Sequence, residues 1–247
     1  MSTENQKKWV LVTGGSKRIG AEIITRFHRA QFNVVIHYNS SAQEAVQLSE
    51  SLNQERAQSA FTIQADLSNI NSIHSLYEQV IGITKSLDLL VNNASTFYPT
   101  PIDKLNENDW DSLVNLNFKA PLFLTKKLLP LLNTPSSSII NIVDIHSQRP
   151  LKDHVIYGPA KAALAMLTRS LAKDLAPKIR VNGVSPGAIL WPEDGMSDKS
   201  KESILKQIPL NKSGTASDIA ETVYFLHHSN YITGQIIAVD GGRSIGW

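Results

Sequence analysis

The sequence predicts an α/β fold, a doubly wound, seven-stranded parallel sheet in a single domain spanning residues 1–247. Three observations carry this. Short, β-rich apolar runs alternate with longer amphipathic stretches along the whole chain. Several runs are almost continuously apolar, such as Val34-Val35-Ile36 and Leu89-Leu90-Val91, as strands covered on both faces read. No linker or repeat divides the 247 residues, a length that suits one such domain.

The strands are expected at Trp9–Thr13, Asn33–Tyr38, Ala60–Gln64, Leu87–Val91, Ser138–Val143, Arg180–Val184 and Ile236–Val239. Helices are expected near Ile19–Arg29, Ala42–Arg56, Ile70–Thr84, Asn108–Leu132, Val155–Ala176 and Ser217–His228. In the first helix Ile19, Ile23 and Phe27 repeat every four residues, the spacing of a buried helical face. The segment 188–214 breaks the alternation. It contains Pro192, Gly195 and Pro209 among many polar residues and reads as a loop with a short helix. Its place after the sixth strand is where a substrate lid would sit.

Composition excludes several functions. The net charge is +2, with 24 basic and 22 acidic residues, which points to neither nucleic acid nor an anionic membrane. Cysteine is absent, so disulfides and thiolate metal sites are excluded. The seven histidines show no metal-ligand spacing. Met1–Lys8 is polar, and no apolar run approaches the ~20 residues of a membrane span. A cytoplasmic protein is expected.

Two constellations carry chemistry. In the first, Val10–Thr13 leads into Gly14-Gly15-Ser16-Lys17-Arg18-Ile19-Gly20 and then an amphipathic helix. Gly14 permits a tight turn and Gly20 close helix-strand packing, and the helix start offers N–H groups to a pyrophosphate. An ordinary glycine turn reads the same way. After the second strand, His37-Tyr38-Asn39-Ser40-Ser41 has no carboxylate until Glu44. A carboxylate there would accept ribose hydroxyls, as in NAD enzymes. Hydroxyls, His37 and Lys17 would instead bond a 2′-phosphate, so the expected cofactor is NADPH. These residues would also cap the helix that starts at Ala42.

The second constellation is Asp144, Tyr157 and Lys161. Lys161 lies one helical turn after Tyr157, so both side chains share a face. Tyrosine is a poor acid-base group with its pKa near ~10, and a neighbouring ammonium is expected to lower it. Tyr-x-x-x-Lys with a hydroxyl or acidic residue thirteen positions upstream resembles the active site of short-chain dehydrogenases/reductases. The resemblance spans residues 9–242 and implies a Rossmann-type sheet. It implies that Asp66 and Leu67 meet the adenine and that Asn93 and Ala94 border the cofactor. Asn117 would be a catalytic asparagine holding a water behind Lys161, and Pro186 and Gly187 would flank the nicotinamide. It also implies a homotetramer, with Arg243 and Trp247 near a neighbouring subunit.

Three departures coincide. Arg18 and Ser95 stand where most members have glycine, and Asp144 where most have serine. With Asn92–Pro101, His37-Tyr38 and Gln64–Ser68, they make the chain resemble pteridine reductases. The implied substrate is a pterin or folate. Phe97 would stack on its ring, Arg18 and Ser95 would bond its polar edge, and Trp191 would line the pocket. Tyr157 and Asp144 would deliver the proton that C=N reduction needs, which a serine near neutral pH does not supply. Asp144 also suits an Asx turn, with Ser147 or His146 as the active group. The alternatives are a carbonyl (3-oxoacyl) reductase on the same fold and a non-catalytic NADP(H)-binding sensor.

Overall fold

The structure is a computed structural model that describes residues 7–191 and 197–245. Pro192, Glu193, Asp194, Gly195 and Trp247, singled out above or within the expected lid, lie outside the described residues.

Seven strands form one sheet: β1 (Trp9–Val12), β2 (Asn33–Tyr38), β3 (Ala60–Gln64), β4 (Leu89–Asn92), β5 (Ser138–Ile142), β6 (Arg180–Pro186) and β7 (Ile236–Val239). Their order is β3-β2-β1-β4-β5-β6-β7, and every pair is parallel. The chain leaves β1 toward β2 on one side and resumes at β4 on the other. The C-terminal ends of β1 and β4 therefore bound the crevice where such sheets bind ligands.

The strands' apolar runs are explained by helices on both faces. Val10, Val12, Val34, Ile36, Leu89, Val91 and Ile140 pack with Ile23, Ile24 and Phe27 of α1 (Arg18–Arg29), Leu52 of α2 (Ala42–Glu55), and Val223 and Leu226 of α8 (Ala216–His228). The alternate residues Leu11, Val35, Leu90, Ile139 and Val181 face Leu76 and Val80 of α3 (Ile70–Ile83) and Leu124 and Leu128 of α5 (Ala120–Leu128). Burying each such side chain stabilises the fold by roughly 1.5–3 kcal/mol.

The expected helix Asn108–Leu132 is divided. α4 (Glu107–Val114) is separated from α5 by a π-helical turn, Asn115–Lys119. Pro121, two residues past it, has no N–H to donate to Asn117 O, which frees a carbonyl within the turn. Asn117 accompanies it by donating from Nδ2 to Leu113 O and Thr96 O, both at 2.9 Å. α6 (Tyr157–Leu175) follows β5, and the short helix of the lid region is α7 (Asp198–Leu205). Among the described residues no helix is long and apolar enough to cross a membrane, and no acidic or histidine cluster could hold a metal.

Candidate active site

The crevice between β1 and β4 opens into a cleft of about 450 Å³, built around the glycine turn. Thr13 ties its two walls together. Its Oγ1 donates to Val91 O at 3.3 Å and accepts from Asn93 N and Ala94 N, each at 2.9 Å. Asn93 Nδ2 then donates to Thr13 O and Gly14 O, both at 2.9 Å. The turn is too tight for side chains. Gly14 has φ +59°, and a Cβ on Gly20 would lie 2.1 Å from Gly14 O.

His37 braces the turn from below. Its buried ring accepts from Gly14 N at Nδ1 (3.1 Å) and donates from Nε2 to Ala65 O (3.0 Å). Burial, partly offset by the Ala65 hydrogen bond and by Asp66, pushes its pKa down to about 4. The expectation that His37 bonds a 2′-phosphate is therefore corrected. It borders the cleft, but both ring nitrogens are committed to the backbone.

The residues of this cleft suit a dinucleotide. Helices α3, α4, α7 and α8 are each capped by a side chain, whereas α1, α2, α5 and α6 are not; of these, α1 and α2 meet the cleft, through Lys17 and Arg18 and through the N-cap residue Ser41. Their N–H groups and positive dipole ends are thus presented to anions. Lys17 and Glu44 join the two helix starts through a 2.6 Å ion pair, and the hydrogen bond from Lys17 holds Glu44 below its usual pKa. Ile19, Tyr38, Asn39, Ser40, Asp66, Leu67, Ala94 and Ser95 line the cleft as expected. Ser41, expected among the hydroxyls after β2, lines it as well; Ser16, Thr96 and Leu116 line it too and were not expected. Asp66 spends Oδ1 on Ser68, accepting from N at 3.0 Å and Oγ at 2.7 Å. Pro186 and Gly187 end β6 outside the lining of this cleft. Gly187 is needed there because a Cβ would approach Asp240 to 2.6 Å.

Asp144, Tyr157 and Lys161 converge at the ends of β5 and α6. Tyr157 Oη donates to Asp144 Oδ2 at 2.8 Å, while His146 N donates to Oδ1 at 2.8 Å. The Asx turn foreseen for Asp144 is thus present and also aims its second oxygen at the phenol. Lys161 is buried, donates from Nζ to Ile142 O at 3.0 Å, and lies 5.8 Å from the Tyr157 ring centroid. Its other two N–H donors meet no acceptor among the described residues. Burial lowers its pKa to about 8, against an opposing pull from Asp144.

The expected lowering of the tyrosine pKa does not occur. Burial, then the charge and hydrogen bond of Asp144, hold Tyr157 well above the ordinary phenol value. A carboxylate that accepts from a phenol stabilises its protonated form, so Tyr157 keeps its proton. Behind the site, Asn92 Nδ2 donates to Asn141 Oδ1 and Asn141 Nδ2 to Thr168 Oγ1, both at 2.8 Å. This buried chain fixes β4, β5 and α6 relative to one another. Asn117 Oδ1 is buried with no partner among the described residues.

A model of the family described as enoyl-(acyl carrier protein) reductase matches residues 14–244. The chain belongs to the short-chain dehydrogenase/reductase family. It is 35% identical to pteridine reductase 1 of Leishmania tarentolae, over 99% of each chain. It is also 35% identical to the 3-oxoacyl-[acyl-carrier-protein] reductase FabG of Staphylococcus aureus, over 95% of this chain and 97% of that one. An uncharacterized oxidoreductase of Bacillus subtilis, YmfI, is 32% identical over 95% of this chain and 98% of its own. Members of this family are oxidoreductases that bind a nicotinamide dinucleotide.

Against that family background, the residues that replace the common glycines and serine have physical consequences. Arg18 has φ +52°, the left-handed region that glycine adopts freely and other residues enter at a cost of about 1–2 kcal/mol. Its guanidinium donates to Leu190 O and Trp191 O, each at 3.4 Å, and so joins the glycine turn to the start of the lid region. Trp191 reaches the site through this carbonyl, and its residue is not among those lining the cleft. Phe97 is 54% exposed beside Tyr157, at 4.8 Å between ring centroids, which leaves a face of the ring for a ligand. Its other neighbour is His154, stacked at 4.6 Å and 17°. His154 was not foreseen, because a lone loop histidine carries no sequence signal.

Proposed function

We propose that the chain is an NADPH-dependent pteridine reductase, converting dihydropterins to tetrahydropterins and acting also on dihydrofolate or oxidised pterins. The observation that carries this reading is the 2.8 Å hydrogen bond from Tyr157 to Asp144. It puts the proton of the phenol directly on a carboxylate that can pass it on, where carbonyl reductases need only a hydroxyl neighbour. Arg18 and Ser95 at the same mouth, and the exposed ring of Phe97, supply the donors and the flat apolar face that a pterin requires. The likeness to pteridine reductase 1 over 99% of both chains supports the same reading.

When bound, the dinucleotide supplies a hydride to a ring carbon of the substrate. The chain's own residues do the rest. The uncapped starts of α1 and α2 hold the phosphates. Lys17, Asn39, Ser40 and Ser41 favour a 2′-phosphate, and a phosphate there competes with Glu44 for Lys17. The two remaining donors of Lys161 bond the ribose hydroxyls beside the nicotinamide. Tyr157 holds a proton at Oη, and Asp144, its Oδ1 fixed by His146 N, relays it toward the ring nitrogen. Asn117 Oδ1 requires a donor, which a water behind Lys161 would supply. Phe97 stacks on the substrate while Arg18 and Ser95 bond its aminopyrimidine edge.

Exposed Met166, Phe225 and Ile237 on α6, α8 and β7 offer apolar surface for a homotetramer working in the cytoplasm. A mass near four times 27.2 kDa by light scattering is the expected result.

Initial rates of cofactor oxidation with dihydrobiopterin, dihydrofolate and an acetoacetyl thioester, each with NADPH and NADH, test the reading. Turnover of the pterins with NADPH is expected. Turnover of the thioester alone would leave a carbonyl reductase, and cofactor binding without any turnover would leave a sensor.

A further inference from the structure

A cavity of about 460 Å³ lies at the opposite end of the sheet from the dinucleotide cleft, where β1 and β2 begin. Three chain segments build it. Lys7 and Lys8 lead into β1, Ala30 and Gln31 turn from α1 toward Asn33 at the start of β2, and Arg56, Ala57 and Gln58 follow α2. Among the described residues no carboxylate lines it. Glu55 is adjacent in sequence, but its Oε2 lies 3.9 Å from His28 Nδ1 and it stays out of the lining.

The lining holds donors that the chain does not use. Asn33 is buried, with 3% exposure. Its Oδ1 accepts from Arg56 Nη1 at 2.7 Å, but its Nδ2 has no partner among the described residues. Arg56 spends Nη2 on Phe32 O at 2.5 Å and on His28 O at 3.4 Å, and its buried Nε is likewise unpartnered. Buried donors left unmade cost stability, so two in one place call for an acceptor. Lys7 and Lys8 are exposed and form no ion pair among the described residues. Lys8 Nζ lies 5.5 Å from the centre of the Phe32 ring, which keeps it beside the turn into β2. Both lysines also border an adjoining cavity, but its one carboxylate is already taken up. Asp88 there accepts from Trp9 N at 2.8 Å, Thr134 Oγ1 at 2.9 Å and Ser136 Oγ at 3.0 Å.

The charge balance decides which guest fits. The C-terminal ends of α1 and α2 bring roughly half a negative charge each. Lys7, Lys8 and Arg56 set three full positive charges against them. The free groups can only donate, so a neutral or cationic guest would leave them unmet. A phosphate group carries about −1.5 to −2 charges near neutral pH and three acceptor oxygens, which suits this set better than a single carboxylate does. We propose that this cavity binds a phosphate group, as orthophosphate or as the phosphoryl end of a small phosphomonoester. Asn33 Nδ2, Arg56 Nε and the ammonium groups of Lys7 and Lys8 are its donors. The site is separate from the dinucleotide cleft, and it does not rest on the pterin reading.

The test is calorimetric titration with orthophosphate, glycerol 3-phosphate and acetate. NADPH is kept saturating so that the dinucleotide cleft is filled, and chloride holds the ionic strength constant. Wild type is compared with Asn33→Asp, Lys8→Glu and Lys8→Arg. Asn33→Asp keeps the acceptor for Arg56 and turns the free donor into a second carboxylate oxygen. Wild type should bind phosphate saturably at a single site, at least about tenfold more tightly than acetate. The affinity should fall at least about tenfold in Asn33→Asp and in Lys8→Glu, the size of one lost charge-assisted contact, and be retained in Lys8→Arg. Unchanged NADPH affinity shows that the variants are folded, and if Asn33→Asp is not, the two Lys8 variants still decide. Tighter binding of glycerol 3-phosphate than of orthophosphate would identify an ester as the occupant, and the reverse would identify free phosphate. The proposal is overturned if wild type binds neither phosphate saturably, if acetate binds as tightly, or if Asn33→Asp and Lys8→Glu bind as wild type does.

Discussion

His37 gives the glycine turn a measurable pH signature. Its Nδ1 must remain an acceptor for Gly14 N, because a protonated ring would set a donor against a donor. The ring therefore stays neutral in the folded chain down to about pH 4, whereas an unfolded chain protonates near 6.5. Between those values the unfolded state binds more protons, so stability falls as pH falls from about 6.5 and the loss saturates below about 4. With these two values, lowering the pH from roughly 8 to roughly 5 removes about 2 kcal/mol through this residue alone. His28 and His227 also have lowered pKa values, the latter down to about 3, so the wild-type slope is not due to His37 alone. The assay is therefore a difference. Urea unfolding of wild type and His37→Gln is measured at both pH values and equal protein concentration. The variant is less stable throughout, but its pH-dependent loss should be smaller by about 2 kcal/mol. Equal losses in the two proteins would refute the assignment of a neutral, doubly bonded imidazole.

Other substitutions separate cofactor, substrate and proton roles. Gly20→Ala sets a Cβ against the Gly14 carbonyl at 2.1 Å, and neither backbone can yield. NADPH affinity by fluorescence titration should fall at least about a hundredfold, more than the ~1.4 kcal/mol of a tenfold loss. Arg18→Gly relieves the positive φ, so the melting temperature should hold or rise by the equivalent of about 1 kcal/mol. The same change removes the guanidinium, and the pterin KM should rise, so an unchanged KM would take Arg18 out of the substrate site. Tyr157→Phe keeps the ring beside Phe97 and deletes the proton. Its kcat should fall by about 10²–10⁴ with NADPH affinity nearly constant, as read by steady-state rates and titration.

The layout of strands was legible because parallel strands buried on both faces must be apolar throughout, and Val34–Ile36 and Leu89–Val91 are. The glycine turn and the Tyr157/Lys161 pair were legible because their spacing is local. What escaped the sequence depends on contacts across the fold. The break in the helix expected at 108–132 lies where Pro121 withholds an N–H, a local signal, and where Asn117 bonds Thr96 O, a residue from another loop. His37 looked like a phosphate donor until its two acceptor and donor partners, Gly14 and Ala65, came together around it. The electrostatics of Tyr157 reversed for a similar reason. Helical spacing brings Lys161 near, but burial and the approach of Asp144 from β5 decide which form of the phenol is stable.

The central claim is that Asp144 is part of the proton path to a pterin. It is tested most directly by the steady-state rate of NADPH oxidation with dihydrobiopterin for wild type and Asp144→Ser. Serine retains a hydroxyl for Tyr157 and restores the residue common in this family, but it cannot take up a proton and pass it on near neutral pH. The account predicts rapid turnover by wild type and a loss of at least about a hundredfold in kcat for Asp144→Ser. Unchanged pterin turnover in Asp144→Ser would contradict it.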